Sequence, residues 1–117
     1  MRIAFVGPIL SQNSDIYEDI MPIGIIPLAQ LARQRGHMVR KLEIWVERPH
    51  DWRHDLLDFQ PDVICFSAFT QWFAWYAEVF RECKRLLPDC ILVMGGPHAT
   101  AVREWALDDY NELDCAD

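Results

Sequence analysis

The sequence predicts a three-layer α/β/α fold around a parallel sheet, and three observations predict it. Strand-like and helix-like segments alternate four times within 117 residues, and a strand that reaches the next strand only through a helix returns to the same end of the sheet by a right-handed crossover. The strand-like runs, Ile3-Ala4-Phe5-Val6 and Ile91-Leu92-Val93-Met94 among them, are continuously apolar, as strands covered on both faces are. Two of them end in Gly7-Pro8 and Gly95-Gly96-Pro97, residues that close an element in a tight loop.

Each element follows in order. Residues 2–6 form the first strand. Residues 9–21 are polar and acidic (Ser11, Gln12, Asn13, Ser14, Asp15, Glu18, Asp19), longer than an ordinary strand-to-helix turn and of the kind that carries function. Pro22 and Pro27 bracket a helix start, because proline is tolerated in the first turn. Ile23, Ile26, Leu28, Leu31 and Ala32 supply that helix with an apolar face, and Arg33, Arg35 and Gly36 close it. Residues 38–46 make a second strand, interrupted by Arg40, Lys41 and Glu43 as an edge strand is. After a turn at residues 47–51, residues 51–59 form a short helix with Trp52, Leu56 and Phe59 at helical spacing. Pro61-Asp62 opens a third strand that ends near Ser67.

The helix over residues 72–87 has the clearest pattern. Trp72, Trp75, Tyr76, Val79, Phe80, Cys83, Leu86 and Leu87 form one stripe, Glu78, Arg81, Glu82 and Arg85 lie opposite, and Pro88 stops it. Residues 90–94 are the fourth strand. A last helix starts at Thr100 or Ala101 and runs through Trp105 and Leu107, and residues 113–117 open a fifth strand that the sequence leaves incomplete.

Composition excludes several classes. A chain of this length buries roughly 65% of its unfolded surface in one core, and 51% apolar with 25% charged residues is ordinary for a globular domain. A net charge of −7 without a Lys/Arg stripe argues against a nucleic-acid surface. The four cysteines, Cys65, Cys83, Cys90 and Cys115, fall singly with no C-x-x-C spacing, so reduced, buried thiols are expected. No charged leader precedes the first strand, which points to the cytoplasm. Residues 63–80 are apolar enough to suggest a membrane span, but Ser67, Thr70, Gln71 and Glu78 within them favour a strand, a loop and a helix.

For a domain of this size the order strand, helix, strand, helix implies the flavodoxin-like arrangement 2-1-3-4-5, with the fifth strand incomplete. Its ligand crevice lies at the carboxyl ends of the strands, where the order reverses. Three loops meet there: residues 7–22, 68–72 and 95–100. None is a G-x-G-x-x-G turn or a Walker loop, and Phe66-Ser67-Ala68 stands where a phosphoacceptor domain needs aspartate. Ser67 lacks nucleophile-elbow glycines, and His37, His50, His54 and His98 are dispersed. Catalysis by this chain alone is not expected. A pocket walled by small and aromatic residues remains, suited to a large planar amphipathic ligand.

Three segments carry a resemblance: Pro22-Ile-Gly-Ile-Ile-Pro-Leu-Ala-Gln-Leu-Ala-Arg-Gln-Arg-Gly-His-Met-Val, Pro61-Asp-Val-Ile-Cys-Phe-Ser-Ala-Phe-Thr and Val93-Met-Gly-Gly-Pro-His-Ala-Thr. Together they resemble the cobalamin (vitamin B12)-binding domain that precedes the barrel of cobalamin-dependent radical SAM enzymes. The resemblance covers the chain from end to end, so residues 1–117 are read as one cobalamin-binding domain. It implies that the cofactor's nucleotide tail enters a channel between the third and fourth strands, with Ser67, Phe69 and Thr70 on one side and Gly95 and Gly96 on the other. The corrin ring then rests near Gln71, Trp72 and the loop of residues 8–21. Pro97 and His98 complete the cofactor-binding set; for His98 an ordinary loop histidine held by backbone hydrogen bonds is the competing role.

The sequence departs from the wider cobalamin pattern at one point. Residues 7–24 hold no histidine, whereas mutase-like domains carry Asp-x-His-x-x-Gly there. The resemblance therefore implies base-off, His-off cobalamin with Gln71 or Trp72 near the lower face. The cluster motif C-x-x-x-C-x-x-C is absent too, so a 4Fe-4S iron-sulfur cluster and S-adenosylmethionine are expected in a downstream radical SAM domain, which performs methyl transfer or tetrapyrrole ring formation. An uncovered fourth strand would favour self-association through the sheet edge. The alternatives are a degenerate domain of this fold that acts as a docking module without cobalamin, and a flavodoxin-like binder of a flavin or nucleotide.

Overall fold

The computed structural model describes residues 1–9, 25–45, 52–67, 73–102 and 105–116. The elements are β1 (Arg2–Ile9), α1 (Ile25–Gln34), β2 (Met38–Trp45), α2 (Trp52–Phe59), β3 (Val63–Ser67), α3 (Phe73–Leu86), β4 (Ile91–Gly95), α4 (Pro97–Val102), α5 (Trp105–Asp109) and β5 (Cys115–Ala116). The strands form one sheet in the order β2-β1-β3-β4-β5, and every neighbouring pair is parallel. The fold class and strand order expected from the sequence are the ones observed.

The core lies on one side of the sheet. Because the step from β1 to β2 runs opposite to the later steps, right-handed crossovers place α1 on one face and the later helices on the other. Ala4, Val6, Ile64, Phe66, Leu92 and Met94 belong to one buried cluster with Trp52, Leu56 and Phe59 of α2 and with Tyr76, Val79, Phe80 and Cys83 of α3. Phe66 meets Phe80 edge-on at 4.7 Å between ring centroids, and Phe80 meets Tyr110 at 4.9 Å. Edge-to-face geometry sets the positive rim of one ring against the negative face of the next.

Two aspartates fasten strand starts. The N–H of Arg2 donates to Asp62 Oδ2 at 2.8 Å while the N–H of Asp62 donates to the Arg2 carbonyl at 2.8 Å. Asp114 repeats the device on β4: its Oδ2 accepts from the Leu92 N–H at 2.9 Å and from Lys84 Nζ at 2.8 Å. The Lys84 hydrogen bond, followed by the one from Leu92, holds the Asp114 carboxyl below its ordinary range.

Three expectations need correction. First, β1 does not stop at Val6 but runs through Gly7 and Pro8 to Ile9, paired with β2 up to Trp45. Among the described residues its pairing with β3 ends at Val6, and Pro8 is paired with Ile44 of β2, a place near a strand end where a missing N–H donor is tolerated. Second, the helix after β4 starts at Pro97, not at Thr100 or Ala101. Gly96 turns the chain with φ 93°, Pro97 takes the first helical position, where its lack of an N–H costs nothing, and the Thr100 N–H closes the turn on the Gly96 carbonyl at 3.0 Å. Third, α1 buries only Ile25, while Ile26, Leu28 and Leu31, expected on its inner face, are exposed. The short fifth strand is as expected: β5 pairs Cys115 and Ala116 with Val93 and Met94 of β4.

Candidate functional site

Because α1 packs loosely, it leaves a cleft of about 260 Å³ between itself and the sheet, lined by Phe5, Ile25, Leu28, Cys65, Phe66, Ser67, Val93, Met94, Gly95 and Gly96. Strand geometry explains the lining. Side chains alternate between faces, and the Phe66 ring packs on Tyr76 and Phe80 of α3, so Cys65 and Ser67 project to the α1 side. The register carries this across the sheet: Phe5 stands opposite Cys65, Cys65 opposite Val93, and Ser67 opposite Gly95. Two rows result, with Phe5, Cys65 and Val93 deeper and Ser67 and Gly95 nearer the carboxyl ends of the strands. Ile25 and Leu28 form the roof.

The glycines differ in what they do. A Cβ added to Gly95 would meet nothing within 4 Å, so this position keeps a volume empty that any other residue would enter. Gly96 is needed for its backbone instead, since φ 93° lies in the region that side chains disfavour.

Ser67 is held from beneath. The buried Tyr76 hydroxyl donates to the Ser67 carbonyl at 2.6 Å, and burial raises the Tyr76 pKa far above its usual value, followed by a smaller effect of Tyr110. The phenol therefore remains a donor, and α3 fixes Ser67, the last residue of β3. Burial pushes the Cys65 thiol up to about 11, with Cys115 adding to the effect, so it stays protonated at neutral pH and lines the cleft as a small, soft, nearly apolar group.

Of the residues singled out from the sequence, the structure brings Ser67, Gly95 and Gly96 to one cleft. Pro97 and His98 sit in the first turn of α4, so His98 belongs to a helix rather than a loop. Phe69, Thr70, Gln71 and Trp72 lie outside the described residues. Sequence reasoning missed Phe5, Ile25, Leu28, Cys65 and Val93. The signal for Cys65 and Val93 was present, because each lies two residues before a cleft residue on the same strand. Among the described residues no group of three or more His, Cys, Asp or Glu could hold a metal ion, and no helix is long and apolar enough to cross a membrane.

The comparisons with known proteins fall on this same architecture. The family model for the B12 binding domain matches residues 13–116. Hopanoid C-3 methylase of Methylococcus capsulatus is 30% identical over 119 residues, which cover 98% of this chain and 23% of that protein. The chain thus spans about a quarter of the length of the curated relative it matches.

Proposed function

Because the chain belongs to the B12-binding domain family, we propose that it holds cobalamin with the nucleotide tail inserted in the cleft beneath α1 and the corrin ring over the carboxyl ends of β3 and β4. The observation that carries this reading is Gly95. Its missing side chain leaves open space at the mouth of an apolar cleft, directly opposite Ser67 in the sheet. A planar base with a polar sugar and phosphate behind it suits that combination of apolar depth and small, polar rim.

Each residue then has a task. Phe5, Cys65 and Val93 cover the base and exclude water, and Ile25 and Leu28 close over it. Gly95 and Gly96 let the tail approach the backbone, and Tyr76 fixes the strand end that carries Ser67. When bound, cobalamin supplies a cobalt centre able to accept and donate a methyl group. Residues 7–24 contain no histidine, which supports a base-off, His-off state, with Gln71 or Trp72 near the lower face. In the full protein the domain presents this cofactor to a radical SAM domain holding a 4Fe-4S cluster and S-adenosylmethionine. The similarity to a protein named as a methylase favours methyl transfer over ring formation.

The test is reconstitution with hydroxocobalamin, removal of free pigment by desalting, reduction, and electron paramagnetic resonance of the retained cofactor. Retained pigment without nitrogen splitting is expected. Either a colourless protein or a cobalt signal split by a nitrogen ligand contradicts the proposal.

A further inference from the structure

The cleft is graded along its length. At its deep end stand an aromatic ring, a thiol and an isopropyl group, those of Phe5, Cys65 and Val93, in register across three strands. The main chain beneath them belongs to the parallel ladders on both sides of β3, so its N–H and C=O groups are already engaged. The polar lining lies one row further on, with Ser67 and the backbone of Gly95 and Gly96, and the Ser67 carbonyl is taken by Tyr76. The cations Arg33 and Lys41 are absent from the cleft lining and belong to an adjoining groove of about 220 Å³ that shares Phe5 and Ile25 with it.

Resting on the reading of the cleft as the channel for the nucleotide tail, we propose that it discriminates among complete corrinoids by the base that ends the tail, taking an alkylated benzimidazole and disfavouring a purine. A dimethylbenzimidazole presents C–H edges and methyl groups to the deep row, which matches them. Adenine brings an amino group and additional ring nitrogens to a floor whose only side-chain polar atom among the described residues is the Cys65 thiol, a weak hydrogen-bonding group. Stripping water from such groups without replacing its hydrogen bonds is costly, and an apolar pocket rejects a similarly shaped ligand with added polar groups by about tenfold to a hundredfold.

Equilibrium binding of three corrinoids to the protein tests this: cobalamin, its analogue with adenine as the base, and cobinamide, which lacks the nucleotide. Cobalamin is expected to bind tightest, with the adenine analogue roughly tenfold to a hundredfold weaker. Equal affinities for the two complete corrinoids, both well above cobinamide, overturn the selectivity and leave the tail in the cleft. Cobinamide binding as tightly as cobalamin overturns both, because the tail then contributes nothing. Val93→Thr keeps the shape of the floor and adds a hydroxyl to it; the preference for cobalamin over the adenine analogue should shrink several-fold, and an unchanged ratio excludes the floor as the discriminating surface.

Discussion

Replacing Gly95 by leucine is expected to weaken cobalamin binding on the order of a hundredfold while leaving the fold intact, because overpacking a site of fixed shape costs a few kcal/mol and each 1.4 kcal/mol is tenfold. The two effects separate for a structural reason. The position has room for a Cβ and lies at the end of β4 outside the left-handed region, so the new side chain meets no backbone strain. It also replaces a glycine in a strand, which by itself is mildly favourable. The leucine enters the volume assigned to the tail. Urea denaturation should show stability within about 1 kcal/mol of the parent, and a titration with cobalamin should show the loss. A leucine variant that binds as the parent does would place the tail somewhere else.

Phe80→Ala should have the largest effect on folding. Phe80 is fully buried and its ring touches Phe66, Tyr76 and Tyr110, so truncation removes the hub that joins β3, α3 and the segment before β5. Emptying such a site costs about 3–5 kcal/mol, a large part of the roughly 5–15 kcal/mol available to a domain. Phe80→Leu should recover much of the loss. The consequence reaches the site, since Tyr76 shares this cluster and holds the Ser67 carbonyl. A midpoint in urea shifted by the equivalent of less than about 1 kcal/mol would show that the aromatic cluster is not what fastens α3.

Much of this architecture was legible because it rests on local pattern. Unbroken apolar runs marked β1, β3 and β4, and the wide stripe from Trp75 to Cys83 marked α3, since both periodicities follow directly from backbone geometry. Gly95 and Ser67 stood out because small residues at strand ends are unusual after such runs. What was not legible depended on partners far away in the chain. Pro8 reads as a strand stop until its pairing with Ile44 of β2 is seen. Leu28 reads as core until α1 is seen to stand off the sheet, and that same gap is the cleft. His98 reads as a loop residue because Pro97 punctuates a sequence equally well as the end of a turn or the start of a helix.

The account depends on the tail of the cofactor lying between α1 and the row formed by Cys65 and Val93. Titrating the isotope-labelled protein with diamagnetic methylcobalamin and following its amide and methyl resonances tests this most directly. The expected result is large shifts at Ser67, Gly95 and Gly96 and at the methyl groups of Ile25, Leu28 and Val93. The resonances of the groove at the opposite end of the sheet, those of Gln60, Asp62, Leu87 and Asp89 among them, should stay in place. Shifts confined to that opposite groove, or none at saturating cofactor, would contradict the account.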